Sequence, residues 1–203
     1  PHIPSCATTE IEVLCFDDAL KKSLMPSDEY DINKWIYIPN FYSEYRYILG
    51  TRGSNPLICI GINPSTARPD ALDRTLQSVE RIALNNGYDS FIMFNVYAQR
   101  ATSPDDMEIC LNKNLHDENM KAFRWLLGRY QNPFIWAAWG TVIEQKPYLM
   151  ECLKDMLEIA DEYGVTWYKA GKVSAKGHPH HPLYLKADSK LEKFDITDYI
   201  EKI

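Results

Sequence analysis

Two polar segments hold most of the residues that could do chemistry: Gly61-Ile62-Asn63-Pro64-Ser65-Thr66 and Gly177-His178-Pro179-His180-His181-Pro182-Leu183-Tyr184. Gly61 allows close backbone approach. Asn63 precedes Pro64 and is pushed toward an extended conformation, from which its amide could hold a water or a polar ligand. Ser65 and Thr66 add hydroxyls just before a helical pattern, where free N–H groups favour anions. Asp70 or Asp73 is the expected cap of that helix. These residues equally suit a plain turn and cap. Asn95 ends a second apolar run and leads to Tyr97 and Arg100. A buried amide there can read a base edge through paired donor and acceptor groups, or tie down its loop. Arg100 could meet a phosphate or lie in solvent. Gly140 closes a third run after Trp139. In the late segment a histidine can offer a donor to a developing anion, or simply pack. Metal binding by His178, His180 and His181 is the weaker alternative, because no cysteine or carboxylate lies at ligand spacing nearby. Neither a metal nor a cofactor is expected.

Both segments depend on strands to position them. Leu57–Ile62, Phe91–Phe94, Phe134–Trp139 and Val165–Tyr168 read as four strands. Between them, Leu72/Leu76/Val79/Ala83, then Leu115/Phe123/Leu126/Leu127, then Leu149/Leu153/Met156/Ala160 recur at helical spacing. Alternating strands and helices predict parallel strands with crossover helices, so all four polar turns should gather at one sheet edge, where ligands bind. Upstream, Trp35–Ile38 and Tyr45–Leu49 read as an antiparallel pair. Ile11–Phe16 reads as a short strand and Asp17–Leu24 as a short helical turn, while residues from about 194 to 203 read as a docked helix. The fold class is therefore α/β, with a central four-stranded parallel sheet and an N-terminal antiparallel strand pair. One domain is expected over residues 1–203: an extension over 1–44, a core over about 45–185, and the terminal helix.

The net charge of -6 disfavours a long duplex as partner, and no run of Lys and Arg supplies a patch for one. The five cysteines are odd in number and contain no CxxC pair, which argues against a zinc ribbon or a redox dithiol. Cys59 and Cys152 read as small buried hydrophobes. Reduced thiols fit a cytoplasmic location, and no stretch is apolar enough to span a bilayer. Trp136, Trp139 and Trp167 read as core.

Tyr45-Arg46-Tyr47, Gly61 through Ala67, Asp73-Arg74-Thr75, Phe94 through Ala98, Ala138-Trp139-Gly140 and Gly177 through Leu185 resemble, in that order, the bacterial and phage family called domain of unknown function sixteen-forty-three. More distantly, the chain resembles the uracil-DNA glycosylases. In these a Gly-x-Asn/Asp-Pro turn follows strand one, an asparagine can end strand two, a Trp-Gly can end strand three, and a His-Pro-containing loop follows strand four. The resemblance implies a three-layer sandwich fold. It also implies that Asn63 holds the water, Asn95 reads the base, and His181 or His178 stabilises the departing base, with His181 favoured. Gly61, Pro64, Ser65, Thr66, Tyr97, Arg100 and Gly140 would complete the ligand site. The implied partner is a nucleobase, a nucleotide or a single-stranded nucleic acid, and the implied reaction is hydrolysis of an N-glycosidic bond. A non-catalytic nucleotide-binding module is the alternative on the same fold.

Overall fold

A run such as Leu57–Ile60, apolar at every position, must bury both faces of its strand. The computed structural model, which describes residues 1–203, does so with five α-helices and seven strands. In chain order these are α1 (Phe16–Ser23), β1 (Trp35–Ile38), β2 (Ile48–Thr51), β3 (Pro56–Gly61), α2 (Arg74–Asn85), β4 (Ser90–Asn95), α3 (Lys113–Leu127), β5 (Phe134–Ala137), α4 (Pro147–Glu162), β6 (Thr166–Ala170), β7 (Leu191–Lys193) and α5 (Ile196–Lys202). Successive side chains of a strand point to opposite faces, and the interior divides accordingly. Ile58 and Ile60 join the core under α1, α3, α4 and α5, whereas Leu57 and Cys59 join the core under α2. The same split separates Ile92 and Phe94 from Phe91 and Met93 on β4.

The sheet runs β1-β2-β4-β3-β5-β6-β7. Neighbours within β4-β3-β5-β6 pair in parallel, while β1–β2, β2–β4 and β6–β7 pair antiparallel. The expected four-stranded sheet is thus a seven-stranded mixed sheet. The N-terminal pair is continuous with it through β2 and β4, and β7 adds an edge that carries no apolar pattern. Leu191-Glu192-Lys193 is largely charged, as an edge strand can be.

The strand expected over Ile11–Phe16 does not form, and Phe16 instead opens α1. Side chains satisfy this segment's backbone in place of a neighbouring strand. Leu14 N–H donates to the Tyr45 hydroxyl at 2.9 Å, the Tyr47 hydroxyl donates to Leu14 O at 2.8 Å, and Phe16 N–H donates to Glu118 Oε2 at 2.6 Å. Trp136, Trp139 and Trp167 are core, as are Cys59 and Cys152. No helix is long and apolar enough to cross a membrane.

Candidate functional site

Parallel strands deliver their carboxyl ends to one side, and backbone bonds then lock the turns together there. Val96 and Tyr97 N–H donate to Gly61 O and Ile62 O at 2.9 and 3.0 Å, and Ala101 N–H donates to Pro64 O at 2.9 Å. Gly140 N–H donates to Pro179 O at 2.9 Å, which ties the turn after β5 to the late histidine segment. Ser78 Oγ on α2 donates to Pro182 O at 2.8 Å. The turns enclose a cleft of about 1180 Å³, large enough for a drug-sized ligand.

Of the residues singled out from sequence, Gly61, Asn63, Pro64, Ser65, Thr66, Asn95, Gly140, His178, His180 and His181 line this cleft. Asn63 and His181, more than a hundred positions apart, share it. Tyr97 and Arg100 do not. Tyr97 is fully buried against Tyr148, donates to Glu108 Oε2 and accepts from Asn112 N–H at 3.0 Å. Arg100 neither faces solvent nor offers itself to a phosphate. Its guanidinium is buried, stacks 4.0 Å over the Tyr42 ring, and donates to Ser65 O, Ala67 O and the Tyr37 hydroxyl.

The asparagines have defined polarity. Asn63 Nδ2 donates to Pro64 O and Ala101 O at 2.9 and 2.8 Å, so both amide protons are used and Oδ1 is left to accept. Asn95 is the converse. Its Oδ1 accepts from an Arg46 guanidinium N–H at 3.3 Å, and its Nδ2 makes no hydrogen bond within the protein. Asn95 therefore presents an unoccupied donor, while its Oδ1 already serves Arg46 with one of its two lone pairs. A Cβ at Gly61 would sit 3.2 Å from Asn95 Nδ2 and 2.6 Å from Met93 Cε, so the glycine keeps the way to that donor open.

The histidines are also fixed. Leu183 N–H donates to His181 Nδ1 at 3.2 Å, which leaves Nε2 to carry the proton. Burial, then His180, lowers the His181 pKa from 6.5, against a smaller opposing pull from Asp73, so the neutral donor persists below that pH. His180 Nδ1 bonds to His181 O at 2.7 Å. His178 is buried, and its Nδ1 lies 2.7 Å from the Tyr199 hydroxyl, which itself accepts from Trp139 Nε1 at 3.0 Å. With the tyrosine proton given to Nδ1, the hydroxyl serves both partners; His178 Nε2 lies 3.3 Å from Glu144 Oε1 but makes no hydrogen bond. Lys176, then His178, holds the Glu144 carboxyl below its usual range. No three His, Cys, Asp or Glu side chains are grouped to hold a metal, so the three late histidines lack the ligand set that a metal-dependent hydrolase needs.

Asp73 is the one carboxylate lining the cleft. It caps α2, accepting from Leu76 N–H at 2.9 Å, while Asp70 accepts instead from Trp35 Nε1 at 3.2 Å. Sequence reasoning assigned no role to Arg46, which is fully buried and also lines the cleft. A charged residue between the buried Tyr45 and Tyr47 was the signal available.

No curated protein and no solved structure matches the chain. A family model does, over residues 46–183, from Arg46 through the late histidine segment, and so takes in nearly all of the cleft. With more than half of its length matched, the chain belongs to the family described as protein of unknown function, DUF1643.

Proposed function

We propose that the cleft binds a nucleobase, a nucleotide or a short single-stranded nucleic acid, on a scaffold like that of the uracil-DNA glycosylases, and hydrolyses its N-glycosidic bond. One observation carries this: Asn63, Asn95, Gly140 and His181, from the turns that follow four successive parallel strands, line a single cleft. Their chain order is that of the glycosylase motifs. In this reading Asn63 Oδ1 accepts from the attacking water and aligns it. His181 Nε2–H donates to the leaving group as charge develops, and Asn95 Nδ2 holds an acceptor on the inner end of the ligand. An amide cannot take the water's proton, so the rate depends on alignment and on stabilising the departing anion. The test is incubation with uracil-containing and deaminated oligonucleotides and with nucleosides, followed by chromatography for free base. No release from any of them at high protein concentration sinks the hydrolase.

A second reading has its own support: the only lining carboxylate is engaged as a helix cap, and the first turn carries an amide, Asn63, in place of a carboxylate. The cleft would then bind nucleotides without turnover. Calorimetry would show saturable binding that Asn95→Ala weakens, and absence of heat with every nucleotide tried would end this reading too.

A further inference from the structure

Arg46 and Arg100 are both fully buried, and every hydrogen-bond partner they have is uncharged. Both donate to the same carbonyl, Ala67 O, at 3.2 and 3.1 Å. Neither Arg46 Nε nor Arg100 Nε has a hydrogen-bond partner. Taking a cation out of water is costly unless a counter-charge repays it, and two cations sharing one carbonyl add their mutual repulsion. Arg100 is partly relieved by the Tyr42 ring over which it stacks, but no ring is stacked on Arg46. What Arg46 does have is the cleft, whose floor it forms together with Asn95. The Arg46–Asn95 bond fixes the amide so that Nδ2 is the group on offer. The floor therefore presents an unoccupied donor and positive charge. Around the floor the cleft carries both signs, with Arg74 and Lys172 exposed at the mouth and Asp73 half-buried as the cap of α2.

We infer that the floor of the cleft, at Arg46 and Asn95, is an anion subsite that takes the anionic oxygens of the ligand, which on a nucleotide are those of its phosphate. The inference rests on nucleotide binding for the identity of the ligand, though not for the anion site itself. Arg46 supplies the charge and holds the Asn95 amide in its donating orientation. The bound anion supplies a directly bonded counter-charge, which the fold provides only at a distance through Asp73.

Thermal unfolding in the presence of inorganic phosphate, uridine or uridine 5′-monophosphate tests this. At equal ligand concentrations the monophosphate should shift Tm most, by about 5–10 °C at a hundredfold excess over its Kd, with phosphate and uridine each behind it. Asn95→Asp places a carboxylate of the same size against Arg46. It should raise Tm without ligand and abolish the phosphate response. The double variant Arg74→Ala/Lys172→Ala, confined to exposed residues, should retain that response. Equal shifts from uridine and its monophosphate, with none from phosphate, would overturn the anion subsite and leave nucleobase binding standing. A phosphate shift that neither uridine nor its monophosphate exceeds would uphold the subsite and count against the nucleotide. A response that survives Asn95→Asp, or that disappears in the mouth variant, would place phosphate away from the floor and overturn the inference. Absence of any shift would do the same.

Discussion

Tyr199→Phe removes one oxygen and leaves the ring. That ring is buried among Trp139, Phe194 and His178, with centroids 5.9, 5.4 and 5.6 Å away, so the packing of α5 is retained. The missing hydroxyl accepts from Trp139 Nε1 and donates to His178 Nδ1, and both partners are buried. Each is then left unsatisfied, at about 1–3 kcal/mol apiece, for a total of roughly 2–6 kcal/mol. Against a typical domain stability of about 5–15 kcal/mol this is a large fraction. With a urea m-value of about 2–3 kcal/mol/M, the unfolding midpoint should fall by about 0.7–3 M. Tryptophan fluorescence would follow the transition, since Trp139 lies at the lesion. A change below about 0.5 kcal/mol, with m unaltered, would show that neither bond matters and refute the assignment of Tyr199 as the anchor of the His178 ring.

Three further outcomes are expected. Gly140→Ala should displace the His181 segment, because Gly140 has φ of 65° and its Cβ would meet His181 Cβ at 3.3 Å; ligand affinity should drop while Pro179→Ala, which keeps the carbonyl that Gly140 bonds, changes it little, as read by calorimetry. The His181 contribution to stability should be complete above pH 6.5 and decline as pH falls through its lower folded-state pKa, because the unfolded chain binds the proton first; urea titrations of wild type and His181→Gln across that range would reveal it, and parallel curves would refute it. Asn63→Asp should destabilise the protein by about 1–3 kcal/mol rather than improve it as a base, since a carboxylate cannot donate to Pro64 O and Ala101 O; unchanged urea stability would contradict the donor role of the amide.

Continuous apolar runs made β3, β4 and β5 legible, because a strand buried on both faces leaves few other uses for Leu57–Ile60 or Phe91–Phe94. Helical stripes made α2, α3 and α4 legible in the same way. The misses have local causes. Ile11–Phe16 has strand-like residues, but tyrosine and glutamate side chains from elsewhere occupy its backbone, which no periodicity can reveal. β7 has no apolar signature to read. At the site, spacing placed Asn63, Asn95 and the histidines at the correct sheet edge. It could not foretell that Tyr97 and Arg100 turn inward as the chain leaves β4, nor that the Asn95 amide is committed to one polarity by Arg46, because both are set by partners distant in sequence.

The docking of α5 has a consequence for how the protein is made. Synthesis proceeds from the amino end, so the first two strand turns leave the ribosome long before Tyr199 can reach His178. The nascent chain holds an open, half-walled groove until residues 172–184 have been translated. A message cut short after β6 would therefore yield most of the sheet and a cleft without its histidine wall, because the lining continues to Tyr184.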